Sequence, residues 1–188
     1  MTQISTAEFR NGMVLLINDQ LMEMVEFQHV KPGKGGAFVR TKMRNVITGR
    51  VLERTYRSGE KLEEVRLIQE PYQYLYSDGD FFHFMHPESF DQIAVTPEVV
   101  GDAKDYLKEN DNVHLLFHET SPIRVDLPAS VVLKITYTEP GVQGDRAQGG
   151  TKPATVETGA TVQVPLFVND GEVIRVDTRT GQYIERAG

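Results

Sequence analysis

The 188-residue chain is 39% hydrophobic and 25% charged, with a formal net charge of −7, which allows a buried core in one or two soluble, globular domains. It has no cysteine, so disulfides and thiolate metal centres are excluded, as suits a reducing compartment. No run of about 18 apolar residues occurs, and Met1-Thr2-Gln3-Ile4-Ser5 lacks a basic start leading into an apolar segment; neither a membrane span nor a signal peptide is expected, and the chain is placed in the cytoplasm.

In chain order, residues 13–17 read as a strand, Asn18-Asp19 as a turn, and residues 21–30 and 37–46 as two strands that mix apolar with polar side chains in the manner of half-buried ribbons. Between these two lies Lys31-Pro32-Gly33-Lys34-Gly35-Gly36. Pro32 fixes one φ, and Gly33, Gly35 and Gly36 permit positive φ and leave the tip bare apart from Lys34. The expected result is a narrow finger with one cation at its end; an ordinary solvated turn is the competing reading. A turn at Thr48-Gly49 and a strand over 51–56 follow, and Arg57 to Lys61 is polar enough to begin a boundary.

Residues 71–76 and 81–85 read as a hairpin around Ser77-Asp78-Gly79-Asp80. Tyr72, Tyr74 and Tyr76 share a face at period two and are read as core rather than as a base-stacking platform. Thr96-Pro97-Glu98 gives a helix start with Val99, Ala103 and Leu107 as its apolar stripe, weakened by Gly101. Strands are expected over 113–117, 123–127 and 131–137, then a Gly-rich loop over 140–153, and strands over 161–168, 172–177 and 182–186. The economical architecture is all-β, three small barrels in tandem, divided as 1–64, 65–128 and 129–188. The alternative is one barrel followed by a single larger β-domain.

Charge is distributed unevenly. Residues 1–64 hold 10 basic and 8 acidic side chains, 65–128 hold 4 and 12, and 129–188 hold 6 and 7. Within the first segment Lys31, Lys34, Arg40, Lys42, Arg44, Arg50, Arg54 and Arg57 face a single acid, Glu53. A local field of that sign seeks phosphate, so a directional RNA contact is expected at this end.

No Walker-type loop is present, because Gly33-Lys34 is followed by Gly35 and leads into a strand. His83 with His86, and His114 with His118, are poorly spaced on strands for a shared metal. No residue stands in a recognisable nucleophile setting, so no catalytic or metal residue and no cofactor are expected.

Lys31-Pro32-Gly33-Lys34-Gly35-Gly36-Ala37-Phe38-Val39-Arg40 resembles the finger of bacterial elongation factor P. The run Lys152-Pro153-Ala154, Gly159, Val162, Val164-Pro165, Val168 and Gly171 resembles that family's C-terminal signature. The resemblance covers essentially the whole chain. It implies an SH3-like barrel of the KOW type followed by two OB-fold barrels, in an elongated L resembling tRNA. It also implies a non-enzymatic factor that binds both ribosomal subunits between the peptidyl-tRNA and exit sites and relieves stalling at consecutive prolines. Lys34 would approach the acceptor end of the P-site peptidyl-tRNA, and in many members the matching lysine is extended by a host modifying enzyme. Arg40, Lys42, Arg44, Arg50, Arg54 and Arg57 would be RNA contacts.

Gly144-Asp145-Arg146 matches a loop that in the family faces the exit-site mRNA codon, with Arg146 where Thr is usual. Tyr183 and Arg186 match C-terminal residues near RNA, while Tyr183 also reads as an aromatic that caps a barrel. A monomer without membrane contact is expected. Two alternatives remain: a paralogue that binds tRNA or ribosome without proline rescue, and a Schiff-base catalyst using Lys34, for which a bare solvated tip supplies no desolvation.

Overall fold

A computed structural model describes residues 1–141 and 149–188. Short strands punctuated by glycine and Asx turns build three antiparallel sheets, and the chain is all-β apart from brief helical turns.

The first sheet contains β1 (Thr2–Ser5), β2 (Val14–Ile17), β3 (Gln20–Val30), β4 (Phe38–Asn45), β5 (Val51–Arg57) and β6 (Lys61–Val65), in the order β1-β6-β2-β3-β4-β5. The second contains β7 (Leu67–Ser77), β8 (Phe82–Met85), β9 (Gln92–Val95), β10 (Asn112–His118) and β11 (Ser121–Asp126), ordered β11-β10-β7-β8-β9. The third contains β12 (Ser130–Thr138), β13 (Thr151–Val156), β14 (Thr161–Pro165), β15 (Val173–Asp177) and β16 (Tyr183–Arg186), ordered β14-β13-β12-β15-β16. Two compact units result. One comprises Met1–Ile68 with Phe117–Ile123, the other Gln69–Leu116 with Arg124–Gly188.

The first unit buries Ile4, Phe9, Leu15, Met22, Met24, Val39, Met43 and Tyr56 in one core, as alternation along β2 to β5 requires. Asn18 and Asp19 both take positive φ in the two-residue turn between β2 and β3, the conformation that Asn and Asp tolerate best. Ser58 to Glu60 is a tight turn between β5 and β6, with Gly59 donating its amide to the Thr6 hydroxyl at 2.8 Å. The polar stretch expected to open a boundary therefore lies inside the first sheet.

In the second unit Leu133, Ile135, Ala154, Val156, Val162, Val164, Val168, Ile174 and Val176 form a core against which Tyr106 also packs. Thr158 donates its hydroxyl to the Asp105 carbonyl at 2.6 Å, and Lys108 lies 3.7 Å from Glu157. These contacts fasten the 101–108 segment to the third sheet.

Three sequence expectations change. The helix after Thr96 is a four-residue turn, α1 (Pro97–Val100), followed by a 3-10 stretch over Gly101–Asp105. Gly101 adopts φ +53°, which breaks the helical run. The loop expected over 140–153 ends earlier, because β13 starts at Thr151; Pro153 pairs with Gln163 of β14, beyond the last residue of β12, where no second ladder needs its missing N–H. Tyr72 and Tyr74 are buried, but a register shift between Tyr74 and Tyr76 turns Tyr76 out. Its ring stacks on His83 at 4.6 Å, and His83 Nε2 is 2.7 Å from the Asp78 carboxylate.

Candidate nucleic-acid interface

β3 and β4 pair from Met22↔Asn45 to Val30↔Phe38 with one bulge between Met24 and Glu26, and the hairpin they form extends to the exposed tip from Lys31 to Gly36. Of the three tip glycines only Gly35 takes a positive φ, +108°, where a side chain would be strained. Lys34 is the central side chain of the tip and is exposed, with Lys31 also exposed at the end of β3.

The pairing sorts the basic residues onto faces. Across β3, β4 and β5 the rows are Glu23–Arg44–Val51, Glu26–Lys42–Glu53, Gln28–Arg40–Thr55 and Val30–Phe38–Arg57. Partners in a row share a face, so Arg40, Lys42, Arg44 and Arg57 project from one side. Successive cations on β4 are about 6.6 Å apart along the strand. The Arg40 guanidinium lies over the Phe38 ring at 5.5 Å from its centre.

Arg54 belongs to the other face. It pairs with Thr41, whose hydroxyl donates to the Arg54 carbonyl at 2.7 Å, and its guanidinium lies 5.7 Å from the centre of the buried Tyr56 ring. Arg50 is exposed in the β4–β5 turn, which is closed by Asn45 Oδ1 accepting from the amides of Ile47 and Thr48.

The face is not purely basic. Glu26 and Glu53 flank Lys42 and, with Gln28, Arg40 and Thr55, line a groove of about 720 Å³. Reading charge along residues 31–57 misses Glu26, because it comes from the preceding arm; counting both arms of the hairpin would have found it.

None of Lys31, Lys34, Arg40, Lys42, Arg44, Arg50, Arg54 and Arg57 forms an ion pair among the described residues. Arg10, Lys108, Arg124, Arg175, Arg179 and Arg186 all do. Lys61, Arg66, Lys104, Lys134 and Lys152 form none either, so what distinguishes the first sheet is the clustering of eight unpaired cations on one hairpin and its neighbouring strand, an arrangement from which an external anion gains by binding.

The C-terminal candidates are placed differently. Tyr183 is half-buried and packs against the third-sheet core. Arg186 donates to Glu172 at 3.1 Å and to the Phe167 carbonyl at 2.9 Å, and its guanidinium stands 4.6 Å above the exposed Phe167 ring. Gly144, Asp145 and Arg146 lie outside the described residues.

The signature run proves to be architectural. Ala154, Val162, Val164 and Val168 are core residues, and Gly159 and Gly171 take φ of +88° and +79°. Lys152 is buried and donates Nζ to the Glu139 carbonyl at 2.6 Å. Among the described residues no group of three or more His, Asp or Glu side chains is arranged to hold a metal ion, and no helix is long and apolar enough to cross a membrane.

Family models match along the chain: the KOW-like domain of elongation factor P over residues 5–62, its OB domain over 67–125 and its C-terminal domain over 131–186. The chain belongs to the elongation factor P family. It is 57% identical over 182 residues, 97% of both chains, to elongation factor P of Leifsonia xyli subsp. xyli. To that of Salinispora tropica it is 56% identical over 183 residues, 97% of this chain and 99% of the other. A translation initiation factor eif-5a family protein from Naegleria fowleri shares the fold at 15% identity, with a TM-score of 0.55 over 67% of this chain and 98% of its own. The family places the chain among translation elongation factors, with KOW-like and OB domains in an all-β architecture.

Proposed function

We propose that this elongation factor binds the ribosome between the peptidyl-tRNA and exit sites and speeds peptide-bond formation at consecutive prolines by positioning the P-site tRNA. The observation that carries the reading is Lys34, exposed at the end of a hairpin whose neighbouring cations form no ion pair among the described residues. Arg40, Lys42, Arg44, Arg50 and Arg57 hold RNA phosphates behind the tip, and Arg54 contributes from the opposite face. Proline is a rigid, slow reactant, so holding the tRNA end near attack geometry is sufficient help. Each tenfold gain in rate needs only about 1.4 kcal/mol. No proton transfer or cofactor is assigned.

In this proposal residues 1–64, 65–128 and 129–188 act as successive domains of a cytoplasmic monomer that touches both ribosomal subunits. Gly144, Asp145 and Arg146 approach the exit-site mRNA codon, and Tyr183 and Arg186 stand near RNA. A host enzyme extends Lys34, and mass spectrometry of protein from its native host reads that modification directly.

The deciding experiment substitutes Lys34→Ala and measures both ribosome binding and the translation rate through a triple-proline stretch against a proline-free control. Binding stays within about tenfold, because one contact among many is lost, while the triple-proline rate falls much further. A wild-type rate on the triple-proline template would show the finger to be an ordinary turn. Lys34→Arg keeps charge but blocks amine-specific modification, and it fails as well.

A further inference from the structure

Among the cations on the face of Arg40, Lys42, Arg44 and Arg57, Lys42 alone stands between two carboxylates, with Glu26 opposite it on β3 and Glu53 opposite it on β5. Arg40, one row nearer the tip, stands between the neutral Gln28 and Thr55, and Arg44, one row farther away, between Glu23 and Val51. The face therefore carries four cations against three acids, a net of +1, and the acids are concentrated behind the tip.

Glu26 and Glu53 are not held by the fold. Both are exposed, and neither forms an ion pair among the described residues, whereas Glu64, Asp126, Glu157, Glu172, Asp177 and Glu185 each hold an arginine or a lysine. Both look into the same groove of about 720 Å³ as Lys42 and Arg40. Residues opposite one another in an antiparallel ladder have Cα atoms about 4.5–5.5 Å apart. At physiological salt the screening length is about 8 Å, so an anion seated on Lys42 feels both neighbouring carboxylates. The Lys42 row thus attracts and repels phosphate at once, while the Arg40 row only attracts it.

We propose that Glu26 and Glu53 are release residues: they repel the RNA phosphate that Lys42 attracts, and so set how quickly the factor leaves the ribosome. This rests on the ribosome-binding reading. Binding energy that does not favour the transition state only lengthens the stay, and a factor that serves many ribosomes has to leave each one. A firm hold at Arg40, near the tip, combined with a weakened hold at Lys42 keeps the finger in place during peptide-bond formation and lets the hairpin go afterwards.

The test uses the full chain and purified ribosomes carrying P-site tRNA. Dissociation is followed by chasing labelled factor with an excess of unlabelled factor. Glu26→Gln with Glu53→Gln keeps the melting temperature, tightens binding about tenfold, chiefly through slower dissociation, and loses that gain as salt is raised. The rate through a triple-proline stretch stays at the wild-type value with the factor in excess and falls with the factor limiting, because release then sets the pace. Glu98→Gln with Asp102→Asn makes the same change in net charge on exposed acids of the second unit and leaves dissociation unchanged.

Unchanged dissociation in Glu26→Gln with Glu53→Gln overturns the proposal, and so does a limiting-factor rate equal to wild type. Faster dissociation also overturns it, by showing that the carboxylates accept hydrogen bonds from RNA amino groups. An equal gain in the Glu98 and Asp102 variant reduces the effect to net charge, and a markedly lower melting temperature makes the two acids structural; either result overturns it. All of these leave the ribosome reading intact, whereas a wild-type chain that does not bind ribosomes overturns both.

Discussion

Thr41 and Arg54 stand opposite each other on β4 and β5, and the Thr41 hydroxyl donates to the Arg54 carbonyl at 2.7 Å. Thr41 is buried, so this pairing fixes the face from which the Arg54 side chain leaves the sheet, the one opposite Arg40, Lys42 and Arg44. Lys42→Ala is expected to lower the slope of log binding constant against log salt by about 0.7–0.9, one phosphate contact. Arg54→Ala is expected to change that slope less, with additive behaviour in the double variant. Titrations against ribosomes at several salt concentrations read both effects, and equal slopes for the two single variants would contradict the division into faces.

Tyr56 is 4% exposed and its hydroxyl has no hydrogen-bond partner among the described residues. Removing an unsatisfied buried hydroxyl relieves a desolvation cost, so Tyr56→Phe should leave the protein as stable as wild type or up to about 1 kcal/mol more stable. Urea unfolding at neutral pH measures it.

The same residue sets an alkaline limit. Burial first of all raises the ionisation of Tyr56, Tyr72, Tyr74 and Tyr106 above the ordinary value of 10.0. The folded state therefore holds the phenolic protons more tightly than the unfolded state does. That contribution is complete below pH 10 and is lost as the pH rises from there through the folded values. Melting temperature should fall in that range, and less steeply in Tyr56→Phe.

Asp78 gives the opposite sign. Its hydrogen bond to His83, followed by those from the amides of Phe81 and Asp80, lowers the carboxyl from 3.8 to about 2. Its contribution is present above pH 3.8 and disappears as the pH falls toward 2. Asp78→Asn should flatten that acid limb for the β7–β8 turn, as followed by amide NMR signals of residues 77–83.

Gly141 stands where a Cβ would lie 2.2 Å from the Leu166 carbonyl oxygen. Backbone cannot yield as a flexible side chain does, so Gly141→Ala should destabilise the second unit by about 1–3 kcal/mol. Calorimetry on the whole chain checks it, and an unchanged melting profile would mean that the segment after β12 and the turn after β14 move apart at no cost.

The finger was legible because its cause is local: Pro32 and three glycines shape the turn whatever surrounds them. Tyr72 and Tyr74 were legible as core for the same reason, since alternation is a property of a single strand. Tyr76 was not, because a bulge shifts parity and leaves no mark on the sequence. Nor was Arg54, whose face depends on the β4–β5 register and not on its spacing from Arg40. The short β1, β6 and β9 are paired strands of four or five residues, too brief for a periodic signal.

The C-terminal run is built of residues that fill a core or bend a turn, whereas Lys34 touches neither. The two can therefore change independently: a different side chain at the tip would leave the packing of Ala154, Val162, Val164 and Val168, more than a hundred residues later in the chain, untouched.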